Sequence, residues 1–301
     1  MFHPATYFPI NELTSEALTR QKVKLFVARL DTIHPVVSGN KLFKLQPFIQ
    51  ACEAAGHSQI VTFGGPYSNH LVATAFYCKQ RGIKAIGIVR GERPNELSHT
   101  LGQCLSEGME LHFVSRTAYD SMQEKEQSST LSDQFGPCQI IPEGGFDSIG
   151  ASGAGDIMNH PFLQTVSHVC LAVGTATTLA GICLRAHPSQ QIIGIPVLKN
   201  MTDVEERLQI LTQHSNFSHL TLFGEYHFGG YAKHTPVLLN SMNQLYINHS
   251  IPTDFVYTGK MMFGLMEQIQ LNYFPAGSTI VALHTGGLQG NASLPTGSLV
   301  F

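Results

Sequence analysis

Short β-rich runs alternate with helical patterns along most of the chain. Stretches at 25–30 (LFVARL), 59–65 (QIVTFGG), 84–91 (KAIGIVRG), 110–115 (ELHFVS), 191–198 (QIIGIPVL), 219–223 (HLTLF) and 278–283 (STIVAL) have the length and composition of strands. Between them, apolar residues at Leu42, Leu45, Phe48 and Ile49 mark one face of a helix over 42–55, ending at Gly56. A second helix over 68–81 stops at Gly82, and others are expected over 95–107, 201–212 and 260–272. Residues 168–187 read as strand, tight loop and helix, while 139–155 begins as a strand and becomes a glycine-rich connection. Residues 116–137 are polar and read as a helix followed by a mobile surface segment. Repeated βα units imply parallel strands with right-handed crossovers, so the pattern predicts an α/β fold.

A chain of 301 residues with 43% hydrophobic and 13% charged residues can bury a large core, enough for two lobes. The net charge of −3, with no basic run, gives no reason to expect nucleic acid or a membrane surface as partner. No apolar stretch reaches the length of a transmembrane span, and the first twenty residues lack the pattern of a signal peptide. Six cysteines without a C-x-x-C pair read as reduced thiols of a cytoplasmic protein. The fifteen histidines form no metal-binding motif, so no metal is expected.

Open parallel sheets place ligand groups at the carboxyl ends of their strands. Three glycine-bearing loops, 64–70, 174–178 and 284–290, follow strands in that way, and five stretches in all carry chemistry. In VSGNKLFKL (37–45), Lys41 follows a Ser-Gly-Asn turn and opens a helix, where the positive end of the dipole disfavours an ammonium. A partly deprotonated lysine is what Schiff-base chemistry requires, although a surface lysine beside a helix cap has the same local sequence. FGGPYSNH (63–70) puts Ser68 where it caps a helix whose free N–H groups suit a carboxylate; an ordinary N-cap looks the same. In AVGTATTLAG (172–181), residues 174–178 offer hydroxyl and N–H donors to a phosphate, or simply a Thr-capped helix. No Lys or Arg accompanies that loop in sequence, so the phosphate is expected to rest on neutral donors. VYTGK (256–260) and HTGG (284–287) add Tyr257, Thr258 and Thr285 at a loop and a strand end.

These stretches, in this order, together with PEGGFDSIG and GGYAK, resemble the fold-type-II pyridoxal-phosphate enzymes. Within them the chain is most similar to the 1-aminocyclopropane-1-carboxylate (ACC) deaminase / D-cysteine desulfhydrase family, from about Leu30 to Gly290. The resemblance implies two open twisted parallel sheets of the tryptophan-synthase-beta-like kind. The large cofactor-binding domain would comprise 1–45 and 152–301, and a small α/β domain 46–151. It implies pyridoxal 5'-phosphate as cofactor, a small amino acid as substrate and a homodimer. By the same resemblance, Lys41 is the lysine that binds the cofactor, and Asn69 the partner of its ring hydroxyl. Ser68, Asn69 and His70 hold the substrate carboxylate. Gly174, Thr175, Ala176, Thr177 and Thr178 cradle the phosphate, with Ala176 and Thr177 standing where the family is usually richer in glycine. Tyr231 and Tyr257 match its two active-site tyrosines, and Thr258 and Thr285 fall where the ring nitrogen is contacted.

The resemblance also bears on reaction type. ACC deaminases carry Glu at the motif position of Thr258, whereas D-cysteine desulfhydrases resemble VYTGK. A carboxylate keeps a ring nitrogen protonated and makes a stronger electron sink; a neutral hydroxyl does not. Opening a cyclopropane, with no Cα proton to remove, needs the stronger sink. The expectation is therefore β-elimination from D-cysteine or a related small D-amino acid, giving pyruvate, ammonia and sulfide. ACC deamination is the alternative, and a pyridoxal-phosphate-binding protein without turnover the second.

Overall fold

The computed structural model of the chain describes residues 7–123 and 128–301. The described residues form ten strands, nine of them at runs read from the sequence and β1 outside those runs: β1 (Ile10–Leu13), β2 (Lys24–Ala28), β3 (Gln59–Gly64), β4 (Lys84–Arg90), β5 (Glu110–Val114), β6 (Gln139–Ile141), β7 (His168–Val173), β8 (Gln191–Pro196), β9 (Leu220–Leu222) and β10 (Thr279–Leu283). They form a six-stranded sheet in the order β1-β2-β10-β7-β8-β9 and a four-stranded sheet in the order β5-β4-β3-β6. Every pairing is parallel except that of β1 with β2. Central strands such as β7, buried at all six positions, read as continuous apolar runs because both faces are covered.

The covering helices are α1 (Glu16–Gln21), α2 (Asn40–Ala54), α3 (Asn69–Arg81), α4 (His99–Ser106), α5 (Arg116–Met122), α6 (Ser128–Phe135), α7 (Ser148–Gly155), α8 (Thr177–Arg185), α9 (Val204–Thr212), α10 (Pro236–His249) and α11 (Thr258–Gln270). Gly82 caps α3 in the left-handed region, with its N–H on Cys78 and Lys79 carbonyls, as the sequence suggests. α4 starts later than expected because Ser98 is its N-cap. Part of the polar stretch expected to be mobile, residues 124–127, lies outside the described residues.

One expectation is corrected. SIGASGAG is not a loop but α7, capped by Asp147. Its small residues permit an approach that larger ones forbid. A Cβ on Gly153 would lie 2.3 Å from the Phe43 carbonyl of α2, which interior Pro47 leaves without its usual helical donor. A Cβ on Gly181 of α8 would meet the Ala151 carbonyl at 2.2 Å. α7 thus clamps α2 to α8, the two helices that carry the lysine and the phosphate loop. The domain division at 46 and 152 would fall inside α2 and α7, although all four strands of the smaller sheet lie between 59 and 141. The largest core cluster joins residues of both sheets, including Ala85, Val89, Val169 and Val173. All six cysteines are buried and free, and burial raises the thiols of Cys78, Cys104, Cys170 and Cys183.

Candidate active site

The carboxyl ends of β3 and β6 in one sheet, and of β7 and β10 in the other, lead into loops singled out above. Gly39 begins the construction. Its φ of 67° favours glycine, and a Cβ there would lie 1.9 Å from the Thr285 carbonyl. That approach seats the start of α2 on the loop after β10, and the Asn40 N–H donates to the same carbonyl at 3.3 Å. Asn40 then spans the site, its amide donating to Thr178 Oγ1 at 2.7 Å and its oxygen accepting from Lys41 Nζ at 2.7 Å. The lysine and the phosphate loop, 137 residues apart in sequence, therefore share one side-chain bridge.

Burial lowers the Lys41 amine to about 8, with Asp254 acting in the opposite sense. Desolvation, more than the helix dipole invoked from sequence, is the cause. At pH 7.5 roughly a quarter of such amines are unprotonated, against about one in a thousand at the ordinary value. Cofactor uptake by the apoprotein is therefore expected to accelerate as pH rises through about 8 and to level off above it, since the attacking form is the one that has lost its proton. A stopped-flow record of the visible absorbance change from pH 6.5 to 9.5 checks this.

Ser68 caps α3, accepting from Leu71 N–H at 3.3 Å, so the carboxylate loop is also a true helix start. Gly64 is fixed by close approach, because a Cβ there would meet Ser68 Oγ at 2.6 Å. Asn69 Oδ1 is buried without a partner. His70 is 3% exposed and shares a 2.9 Å hydrogen bond between Nε2 and Thr62 Oγ1, whose own hydrogen goes to the Ile141 carbonyl. Burial, then the amines of Lys44 and Lys41, hold His70 well below its usual value, so it stays neutral and offers no cation to a carboxylate.

The loop after β7 departs from a Thr cap. Ala176 is the N-cap of α8, held at φ 67°, a conformation that costs a non-glycine residue about 1–2 kcal/mol. Thr175 and Thr177 share a hydroxyl hydrogen bond at 2.9 Å, and Thr178 is committed to Asn40. The free N–H groups of the first turn of α8 are left available to an anion such as a phosphate. Gly174 leaves room for Tyr257, whose Cε1 would be 3.1 Å from a Cβ there.

Sequence reasoning missed three residues. Lys44, one turn from Lys41, is 3% exposed and donates to the Gly144 carbonyl at 2.6 Å. Gly144 in turn abuts Thr175, with Cγ2 2.8 Å from where a Cβ would be. An amine thus stands beside the phosphate loop after all, and burial and Lys41 push it well below its usual value. The i, i+3 spacing of Lys41 and Lys44 was the available signal. Asp254 is fully buried and accepts from the N–H groups of Val256, Tyr257 and Thr258 and from Thr258 Oγ1 at 2.6 Å. Lys260, also fully buried and lowered to about 8 by desolvation, donates to the His227 and Gly230 carbonyls at 2.9 and 2.6 Å, fixing the turn before Tyr231.

This cluster changes the reading of the threonines. Thr258 has no exposed surface, and its hydroxyl gives its hydrogen to Asp254 while accepting from the Asp254 N–H at 2.9 Å. Thr285, 7% exposed, is the threonine of the pair whose hydroxyl makes no hydrogen bond among the described residues. Tyr257 and Tyr231 meet edge to face, ring centroids 6.1 Å apart. Burial, then Tyr231 and Asp254, raise Tyr257 well above the ordinary tyrosine range, and burial also raises Tyr231.

A lysine amine near neutrality, an unpartnered buried Asn69 oxygen, an open threonine hydroxyl and a helix start with an amine beside it fit an aromatic aldehyde that carries a phosphate. The family profile described as pyridoxal-phosphate dependent enzyme matches residues 7–286. A Pyrococcus abyssi protein, provisionally named a 1-aminocyclopropane-1-carboxylate deaminase, is 26% identical over 290 residues, covering 89% of this chain and 86% of that protein. A D-cysteine desulfhydrase from Klebsiella pneumoniae is 26% identical over 308 aligned positions, covering 94% and 91%. Among solved structures, an ACC deaminase homologue superposes with a TM-score of 0.80 at 23% identity, covering 94% of this chain and 90% of its own. No group of three or more His, Cys, Asp or Glu residues among the described residues could hold a metal ion, and no described helix is long and apolar enough to cross a membrane.

Proposed function

From the premise that the chain belongs to the pyridoxal-phosphate dependent enzyme family, we propose that it is a lyase that eliminates the β-substituent of D-cysteine or a related small D-amino acid. Pyruvate, ammonia and sulfide are the products from D-cysteine. The observation that carries this reading is an unbonded Thr285 hydroxyl, beside a Thr258 whose hydroxyl is committed to Asp254, itself fully buried and already holding four donors. A neutral partner suits elimination, in which the leaving group departs without a long-lived carbanion.

The cofactor, when bound, supplies the electron sink for bond breaking at Cα. Lys41 anchors it, and Asn69, Thr285, the start of α8 and Lys44 hold its ring and phosphate ends. Ser68 and the first N–H groups of α3 orient the substrate carboxylate, with His70 as neutral packing behind them. The Lys41 amine, kept near neutrality by burial, is the base for the Cα proton. Burial keeps the Tyr257 proton in place, so its hydroxyl serves as a hydrogen-bond donor that steadies the departing thiolate, with Tyr231 beside it. ACC has no Cα proton, so the step given to this base is not open to that substrate.

The resemblance supports a homodimer, and the six buried, free cysteines support a cytoplasmic location. The name of the Pyrococcus abyssi relative favours the second reading, ACC deamination to 2-oxobutanoate and ammonia. Steady-state assays with D-cysteine, L-cysteine, D-serine and ACC separate them. Sulfide and pyruvate from D-cysteine, with little or no 2-oxobutanoate from ACC, is the expected result. Efficient ACC turnover without sulfide release overturns it, and cofactor binding with no turnover of any of them makes the chain a binding protein.

A further inference from the structure

Two charged groups stand at the entrance to the carboxylate loop and have no part in the chemistry above. Arg90 is the last residue of β4, the strand paired with β3, so it emerges beside the Gly64-Gly65 turn. Its Nη2 lies 3.5 Å from where a Cβ on Gly65 would sit, and its guanidinium stacks 5.3 Å from the centroid of the Tyr119 ring. That ring is fully buried and gives the cation a fixed seat. Glu143, at the turn after β6, is the counter-charge, but its nearest contact is a long 3.7 Å, and the two side chains are 44% and 33% exposed.

We propose that Arg90 is a specificity-determining residue that draws the carboxylate of the incoming amino acid onto the 64–70 loop, with Glu143 as the competing anion that releases it inward. The proposal rests on the amino-acid-lyase reading of the same site. Ser68 and the α3 N–H groups are neutral, and His70 stays neutral, so the loop itself contributes no full positive charge to an anionic substrate. The loosely paired, ring-seated guanidinium against Gly65 supplies one. An Arg also presents a planar fork that matches a carboxylate, which a lysine does not. Because Arg90 is partly exposed, its effect belongs on capture rather than on bond breaking, and it is screened by salt.

The test uses the cofactor-loaded protein and two readouts. Binding of D-alanine, which has no β leaving group, is followed through the visible absorption of the cofactor, and D-cysteine turnover is measured in parallel at 20 and 300 mM salt. Arg90→Gln is expected to weaken D-alanine binding and raise KM by about fivefold, the scale of a partly exposed ion pair, with kcat within twofold and the salt dependence flattened. Arg90→Lys should recover part of the affinity, and Glu143→Gln should tighten D-alanine binding. Unchanged D-alanine affinity and salt dependence in Arg90→Gln, with the cofactor absorption intact, overturns the proposal. Binding that responds as expected while D-cysteine is not turned over leaves Arg90 its role and removes the D-cysteine reading instead.

Discussion

Lys41→Ala is expected to leave a folded, colourless protein with activity reduced by at least about 10³-fold, the scale of a lost nucleophile and proton-transfer group. The stability control follows from the geometry. Lys41 makes its hydrogen bond to its own neighbour Asn40, and its amine carries a desolvation penalty, so truncation removes little that holds the fold together. Asn40 keeps its bond to Thr178, so α2 and the phosphate loop remain tied. Thermal unfolding of the cofactor-free variant should therefore match or exceed that of cofactor-free wild type, while the visible band and turnover disappear together. A variant that loses turnover but keeps a wild-type band would assign the anchor elsewhere.

Lys44→Met is expected to weaken cofactor affinity on the order of 10–100-fold, because a hydrogen bond to a charged group contributes about 1.5–3 kcal/mol. Methionine matches the stem of the lysine and keeps the helix face filled, so the loss belongs to the amine. The sign of the pH effect is fixed by the depressed amine of the free protein. A phosphate in the cradle favours its protonated form, so the bound state holds more protons than the free state. Affinity in wild type should then fall as pH rises above the free-protein value of Lys44, and that slope should be absent in Lys44→Met. Equilibrium titration of apoprotein with pyridoxal 5'-phosphate across pH, with and without the substitution, checks both parts.

Much of the scaffold was legible because periodicity is a local property. β3, α3 and β4 lie within a residue or so of the bounds that alternation, Ser68 and Gly82 imply. α7 was hidden because three of its eight residues are glycine, a poor helix former, and only one is a large apolar residue that could mark a face; its small residues let backbones touch at Gly153 and at Gly181 of α8. The short β1 and α1 and the polar-spaced α10 left too little apolar periodicity to be read.

The candidate site was legible in its loops and opaque in its partnerships. Lys41 and Ser68 sit at helix starts as their turn chemistry requires. Whether a hydroxyl is free depends on what folds next to it, and nothing in VYTGK reveals that Thr258 surrenders its hydrogen to Asp254. Asp254 did carry a signal, an Asp a few residues before a helix that can gather its N–H groups. Lys44 carried only its spacing from Lys41 and Arg90 no signal at all; the fold brings Gly144 and Gly65 alongside them.

Three buried or partly buried lysines with lowered amines, Lys41, Lys44 and Lys260, make the anchoring assignment open to a single direct measurement. Apoprotein is loaded with one equivalent of pyridoxal 5'-phosphate, reduced with borohydride to fix the covalent attachment, digested and mapped by mass spectrometry. The account predicts one stoichiometric adduct, on Lys41. An adduct confined to Lys44 or Lys260, or no adduct on any of the three, would contradict it.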